Sequence, residues 1–353
     1  MAKRVRVIRR VITITSVQVI TAVIPVHNRA DLLQRLLATL HAQTIPFTQI
    51  IVVDNGSSDG APEIARQSGC HVIALGENTG FAHAVNCGWR AATTPWTAIL
   101  NSDVELDPRW LQNLLANTGG ASFATGLILD LHTKTVIDGT YDLVTRAACA
   151  WRAGNGESRT TNTGDSRPVA IAPGTASLFR TEVLRKLVGY DERYGSYLED
   201  VDLGLRCLRE GLTGVYVPAA IAWHHGSATL GRWNPSVVRL ISRNQVLLVA
   251  RHYDRALFRA CLWPILLGQL LWGLIAFRHG TASAWLAGKR EGLRGFRLEG
   301  QPNYRLREFF AASENEIRAR ATGTYWRLYF LFTWRDTGAV DLARRVGRPT
   351  GTY

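Results

Sequence analysis

The stretch QIIVVDNGSSDGAPEIARQSG, residues 49–69, decides the fold. Its first six residues form an apolar, β-branched run that ends in Asp54. Asn55-Gly56 between apolar runs is a strong hairpin signal, and a hairpin would return at once as a second strand. The next segment instead reads as a short helix over 60–69, with Pro62 in its first turn and Gly69 past its end. Strand, polar loop and helix in that order make half of a parallel βαβ unit.

Working outward, VITAVIPV (19–26) is a nearly continuous apolar run, which predicts a strand buried on both faces. Asn28 then reads as the N-cap of a helix carrying Leu32, Leu33, Leu36, Leu37 and Leu40 at helical spacing. On the other side come HVIAL (71–75) as a strand, FAHAVNCGWRAA (81–92) as a helix and WTAIL (96–100) as a fourth strand. Fourfold alternation predicts an α/β chain with a mostly parallel, doubly wound sheet flanked by helices. Ligands of such sheets sit beyond the carboxyl ends of the strands. That rule gathers Asn28, Asp54, Asn78 and Asp103 into one crevice. The sequence has no G-x-G-x-x-G and no G-x-x-x-x-G-K-[ST], so it supports neither dinucleotide nor P-loop phosphate binding.

Composition bounds the class. The chain has 353 residues, 46% of them hydrophobic, and five scattered cysteines with no Cys-x-x-Cys pair. That pattern argues for a reducing cytosol rather than a disulfide framework or a thiolate zinc site. No signal peptide follows the basic opening. The net charge of +13 divides into +5 over residues 1–10, −3 over 11–235 and +11 over 236–353. A basic tail on a slightly acidic body suggests a body that does chemistry and a tail that meets an anionic surface.

The chemistry starts at ILNSDVELDP (99–108), a strand running into spaced acids. An acid at the end of the second strand, Asp54, can accept hydrogen bonds from a base or ribose. Asp103 would then lie by the diphosphate, and two anions meet there only with a divalent cation between them. The plainer alternatives are a turn residue for Asp54 and a cap of the helix near Pro108 for Asp103; Glu105 reads as solvated. Further on, YLEDVDLGLRCLREGL (197–212) predicts a helix with Glu199 and Asp200 at its start, where carboxylates also serve as ordinary caps. A late apolar run delivers His224 and His225, which point in opposite directions, so at most one faces the crevice. Asp103 plus one histidine leaves diphosphate and water to complete a metal shell.

These segments together, TAVIPVHNRADLLQRLLATL, IIVVDNGSSDG, ENTGFAHAVNCG, LNSDVELDP, APGTASLFRTEVL, GYDERYGSYLEDVDLGLR and WHHGSAT, resemble the family-two inverting glycosyltransferases of the GT-A fold (Rossmann-like nucleotide-diphospho-sugar transferases), and among them the rhamnosyltransferase-like members. The resemblance covers about residues 21–230 in order. It implies that Asp54 contacts the base, with Pro25 and Asn28 lining that pocket, and that Asn78 and Asn86 help hold the nucleotide. Asn-Ser-Asp occupies the Asp-x-Asp position, so Asp103 matches the metal-binding acid while Asn101 replaces the first Asp. Asp200 matches the catalytic base, Pro173 and Gly174 the acceptor loop with Glu199 beside it, and His224 the late metal ligand. Of the processive synthases' Gln-x-x-Arg-Trp only LGRW (230–233) is present, so a processive polymerase is not expected.

The tail carries 18 uncharged residues, ACLWPILLGQLLWGLIAF (260–277), flanked by arginines at both ends. That length is at the lower limit for crossing ~30 Å of hydrocarbon. With Trp263, Trp272 and Trp285 near basic residues, a helix lying in the interface of an anionic membrane is the favoured reading, over a core or homodimer helix or a span. No nucleic-acid motif accompanies the charge. The expected organisation is a basic extension (1–18), a GT-A domain (19–235) and a helical, membrane-associated region (236–353).

The expected activity is metal-dependent (Mg²⁺ or Mn²⁺), inverting transfer of a sugar such as rhamnose from a dTDP- or UDP-sugar to a lipid-linked or glycan acceptor. The expected setting is cell-envelope or exopolysaccharide synthesis on the cytoplasmic face of the cell membrane. The alternatives are a sugar nucleotidyltransferase or an inactive nucleotide-sugar-binding module.

Overall fold

A computed structural model describes residues 20–159, 164–226 and 233–333. The basic extension 1–18 and most of the LGRW segment lie outside the described residues. The first half alternates as expected: β1 (Ile20–Val26), α1 (Ala30–His41), β2 (Gln49–Asp54), α2 (Ala61–Gln67), β3 (His71–Ala74), α3 (Phe81–Arg90) and β4 (Trp96–Leu100). Every residue of β1 and β4 is buried, which is why both read as unbroken apolar runs. Next come β5 (Val104–Leu106), α4 (Trp110–Asn117), β6 (Phe123–Asp130), β7 (Ile137–Gly139), β8 (Asp142–Val144), β9 (Ala150–Arg152), β10 (Arg167–Val169), β11 (Ala176–Arg180), α5 (Thr181–Leu187), α6 (Glu199–Arg209) and β12 (Gly214–His224). The tail is helical: α7 (Pro235–His252), α8 (Arg255–Ala260), α9 (Leu262–Arg278), α10 (Ala282–Leu293), α11 (Tyr304–Arg320) and α12 (Thr324–Thr333).

The main sheet has ten strands, with the order β10-β12-β6-β11-β4-β1-β2-β3 and with β5 and β7 attached to β12 and β6. Strands β3, β2, β1 and β4 are mutually parallel. The chain moves outward from β1 to β3, then returns to β4 on the other flank of β1. The strand order therefore reverses at β1, and ligand crevices open at such reversals. Beyond β4 the sheet is mixed, because β11 inserts antiparallel between β4 and β6 before β12 pairs parallel with β6.

The tail shares the hydrophobic core of the body. Leu267, Leu271, Ile317, Tyr329 and Phe330 belong to the same buried cluster as Val23, Ile99 and Phe123. A second cluster joins Val201 and Leu205 of α6 to Leu248, Tyr253, Leu306 and Phe310. Helices α7 and α10 cross closely at Gly288 and Gly292, where a Cβ on Gly288 would lie 2.1 Å from the Arg239 carbonyl oxygen. Among the described residues no helix is long and apolar enough to cross a membrane. Two of the tryptophans expected at a membrane point inward instead. Trp272 donates to Ser242 Oγ at 3.1 Å and packs on Trp233, while Trp285 lies over Gly273. Of these three tryptophans only Trp263 is exposed.

Candidate active site

Three loops at the carboxyl ends of β1, β2 and β3 interlock around Asp54. The buried Asp54 carboxylate accepts from Ser57 N at 2.9 Å, folding the loop back over the strand end. Gly56 sits at φ +80° against the backbone of Glu77, where a Cβ would lie 2.6 Å from the Glu77 carbonyl carbon, so only glycine fits. Asn55, which the sequence showed only as half of a turn signal, clamps the next loop. Its oxygen accepts from Thr79 N at 2.8 Å and its amide donates to Asn78 Oδ1 at 3.1 Å. Pro25 lies in β1 opposite Val53, beyond Val23 where pairing with β4 ends, so its missing N–H falls where that ladder has opened.

Asn28 is not the N-cap of α1. That position belongs to Arg29, whose own side chain makes no capping hydrogen bond; Asn28 and Arg29 are both left-handed, at φ 58° and 68°. Asn28 Oδ1 instead accepts from Ser58 N at 2.9 Å, tying the first loop to the second. Asp59 Oδ2 takes Ala30 N at 2.7 Å, so the acid that meets the start of α1 comes from the neighbouring loop. Strain of this kind, held by cross-loop hydrogen bonds, concentrates at ligand sites. Asn78 remains exposed. Asn86 is different, because it is fully buried with its whole amide engaged. It donates to Tyr190 O and Glu192 Oε1 and accepts from Trp89 Nε1 and Tyr190 N, all within 2.8–2.9 Å. It anchors the loop before α6 and has no free donor or acceptor for a nucleotide.

Across β4 stands a second group. Asp103 Oδ1 lies 3.3 Å from His224 Nε2, and His224 Nδ1 lies 3.0 Å from Asp138 Oδ2. A register shift between Val217 and Ile221 in β12 precedes this placement; Gly126 faces the bulge, where a Cβ would be 1.9 Å from Ala220 O. Strand alternation then turns His225 away, toward Glu105 at 3.7 Å, with only its backbone N reaching Asp103 O. The acid that serves the start of α4 is Asp107, which accepts from Arg109 N, so Asp103 has no capping role there.

Burial alone would lower the His224 imidazole; hydrogen bonds and charge from Asp103 and Asp138 outweigh it and push it up to about 9. The Asp103 carboxyl is raised by burial, but the hydrogen bond and charge of His224 bring it below the usual carboxylate range. Beyond Asp138, Arg152 lies 3.4 Å from both Asp138 and Asp142. Gly139 makes room for it, since a Cβ there would meet Arg152 Cδ at 2.2 Å. Burial pushes Asp142 up to about 7 despite Arg152.

The donor set suits a divalent cation completed by substrate. Asp103 and His224 Nε2 converge, and the adjacent Asn101 Oδ1 is buried with no partner. Asp138 on Nδ1 fixes the ring as carboxylates do behind metal-ligating histidines. Among the described residues no group of three or more His, Cys, Asp or Glu is placed to hold a metal ion, so substrate and water would have to complete the shell. One or two protein carboxylates with phosphate oxygens is the usual arrangement for Mg²⁺.

On the third side, Asp200 opens α6. Its Oδ2 accepts from Gly174 N at 2.9 Å, bringing together the expected base and the expected acceptor loop. That loop is tied to β4 through Asn101 N donating to Thr175 O at 2.9 Å. Asp200 is delivered by two consecutive left-handed residues, Tyr197 (φ 71°) and Leu198 (φ 67°). The buried Asn244 of α7 holds them, its amide reaching the carbonyls of Tyr194, Ser196 and Tyr197 at 3.0, 2.9 and 2.6 Å. Glu199 does not line the acceptor side. It is buried, its Oε2 has no partner, and burial with the Asp200 charge raises its carboxyl well above the usual range. The charge of Asp200 also reaches Arg152 and Asp142, so Asp200 shares one electrostatic neighbourhood with the Asp138–Arg152–Asp142 group.

Comparison with known proteins bears on the family and the fold. The family described as Glycosyl transferase family 2 matches residues 21–188. An N-acetylglucosaminyl-diphospho-decaprenol L-rhamnosyltransferase of Mycobacterium tuberculosis is 29% identical over 226 residues, covering 57% of this chain and 74% of that protein. A pre-mycofactocin glycosyltransferase of the same organism is 29% identical over 217 residues, covering 61% of this chain and 44% of that one. Among solved structures, GalNAc-T7 with UDP, GalNAc and Mn²⁺ superposes with a TM-score of 0.57 at 14% identity, over 85% of this chain and 58% of that one. Residues 21–188, just under half of the chain, thus match the family-two glycosyltransferases, the fold is that of the GT-A glycosyltransferases, and an L-rhamnosyltransferase is among the proteins the chain resembles.

Proposed function

We propose that this glycosyltransferase moves a sugar, with rhamnose the favoured case, from a dTDP- or UDP-sugar to a lipid-linked acceptor, with inversion at the anomeric carbon. The proposed setting is cell-envelope or exopolysaccharide synthesis at the cytoplasmic face of the cell membrane. The observation that carries the reaction type is the placement of Asp200 and of Asp138, the carboxylate behind the Asp103–His224 pair, around Arg152. The rhamnosyltransferase relative, whose name specifies a diphospho-decaprenol acceptor, supports the sugar and the lipid carrier.

In a single displacement the acceptor hydroxyl oxygen bonds to the anomeric carbon as the bond to the diphosphate oxygen breaks. The hydroxyl proton passes to the free lone pairs of Asp200, whose Oδ2 is oriented by Gly174 N–H. One carboxylate is enough, unlike the paired acids of glycoside hydrolysis. Asp54 and the interlocked loops bind and orient the nucleoside. Asp103, His224 and the Asn101 oxygen would hold Mg²⁺ or Mn²⁺, which when bound offsets charge on the departing diphosphate. His224 would have to give up its proton to act as a ligand, since only the neutral imidazole ligates.

A thermal-shift screen of nucleotide sugars, followed by product analysis with the stabilising donor, tests this reading. Release of nucleoside diphosphate with metal present is expected. Nucleoside monophosphate or pyrophosphate would favour the nucleotidyltransferase, and binding without turnover would favour an inactive module.

A further inference from the structure

We infer that the outward face of α9, extended by α10 and α12, docks on the surface of an anionic phospholipid bilayer. This rests on the peripheral location proposed above and names the surface responsible. Helix α9 has two faces. Pro264, Leu267, Leu271 and Ala276 are buried against the body, and Gln269 Nε2 donates to Ala147 O at 2.8 Å. The opposite face carries Leu262, Leu266, Leu270, Leu274 and Phe277 at spacings of four, four, four and three residues, one continuous stripe. These are open to solvent, with Leu266 and Leu270 57% exposed, Leu274 56% and Phe277 73%.

The stripe continues onto its neighbours. Trp263 is itself half exposed, and its Nε1 donates to Phe332 O at 3.1 Å, which joins the start of α9 to the exposed Leu331 and Phe332 of α12. A groove of about 360 Å³ between α9 and α10 is lined by Leu270, Leu274, Phe277, Trp285 and Leu286. The α9 side chains alone leave on the order of 600 Å² of apolar area in water, the upper end of the ~300–600 Å² found for the largest patch of an ordinary monomer.

Charge selects the partner. Arg255, Arg259, Arg278 and Arg290 flank the stripe, are exposed, and form no ion pair among the described residues. The region 236–353 carries +11 overall. A half-buried helix with a leucine stripe, an exposed tryptophan and unpaired arginines at its borders fits the acyl-headgroup boundary of an anionic leaflet. A second copy of this chain would bring the same arginines against one another.

Flotation of the full chain with vesicles tests the inference. The wild type is expected to float with phosphatidylcholine vesicles containing phosphatidylglycerol, and less with pure phosphatidylcholine. The variant Leu266→Glu/Leu270→Glu/Leu274→Glu is expected to lose at least ~100-fold in partitioning, since each leucine removed from the apolar phase is worth roughly tenfold or more. All three positions are exposed, so the variant should keep its thermal response to donor nucleotide. Equal flotation of variant and wild type overturns the inference, as does a wild type that ignores anionic vesicles. A wild-type dimer dissolved by the variant, with no flotation, would assign the face to a second copy and equally overturn it. Vesicle binding requires no turnover, so sugar transfer can fail while docking stands, and the reverse.

Discussion

Replacing Asn244 by Ala removes the side chain that holds the left-handed pair ahead of Asp200. The amide reaches three carbonyls, those of Tyr194, Ser196 and Tyr197, and the residue is fully buried. Each hydrogen bond contributes roughly 0.5–1.5 kcal/mol net, and carbonyls left buried and unmet cost more. Tyr197 and Leu198 each store about 1 kcal/mol or more in their left-handed backbone, and the loop relaxes once the restraint is gone. That relief offsets part of the loss of the amide's two N–H donors, so the variant should lose about 1–3 kcal/mol of unfolding free energy in urea. Its kcat should fall further than stability alone implies, because a ~1 Å displacement of a catalytic group can cost on the order of 10²-fold. The donor KM should change little, since the nucleotide loops pack elsewhere. Asn244→Asp should be worse, placing an acceptor-only anion against the same carbonyls. A variant with unfolding free energy within ~0.5 kcal/mol of wild type and unchanged kcat would refute the positioning role.

Other outcomes are set by the same geometry. Asp103→Ala should abolish the gain in donor affinity that Mg²⁺ or Mn²⁺ confers in calorimetry; unchanged affinity with and without metal would remove the metal role. Asp138→Asn should weaken Mn²⁺ binding about 10–100-fold, measured by the paramagnetic signal of free Mn²⁺, through loss of the group that orients His224. Acid stability should depend on Asp202. Burial raises its carboxyl, but the hydrogen bond from His252 and the charges of Arg206, His252 and Arg251 lower it to about 2 from 3.8. The contribution, about 2 kcal/mol, is present above pH 4 and lost as pH falls through 2, so Asp202→Asn should flatten the stability curve between those values.

The half of the fold that builds the crevice was legible because β1, β2 and β4 are central and buried, and continuous apolar runs announce such strands. Asp54 and Asp103 stood out for the same reason, as acids at the ends of apolar runs. Asp138, Asp142 and Arg152 did not, since β7, β8 and β9 are three residues each and too short to show a period. Their spacing around Gly139 was the only available sign. Asn244 was hidden more deeply, 44 residues beyond Asp200 and on a helix that read only as part of a basic tail. Asn28 misled because the cap pattern looks only along the chain, whereas Asp59 approaches the helix start from another loop. Glu199 and Asp200 are adjacent carboxylates at one helix start, and only packing tells the buried acid from the presented one.

The most direct test of the account is the rate of sugar transfer by Asp200→Asn. The substitution keeps size and position at the start of α6 and leaves an oxygen able to accept from Gly174 N–H, while removing the proton acceptor. Transfer is expected to fall roughly 10²–10⁴-fold with donor affinity unchanged, the usual worth of general-base assistance. Turnover within a few-fold of wild type would place the base elsewhere and leave Asp200 as a brace for the acceptor loop.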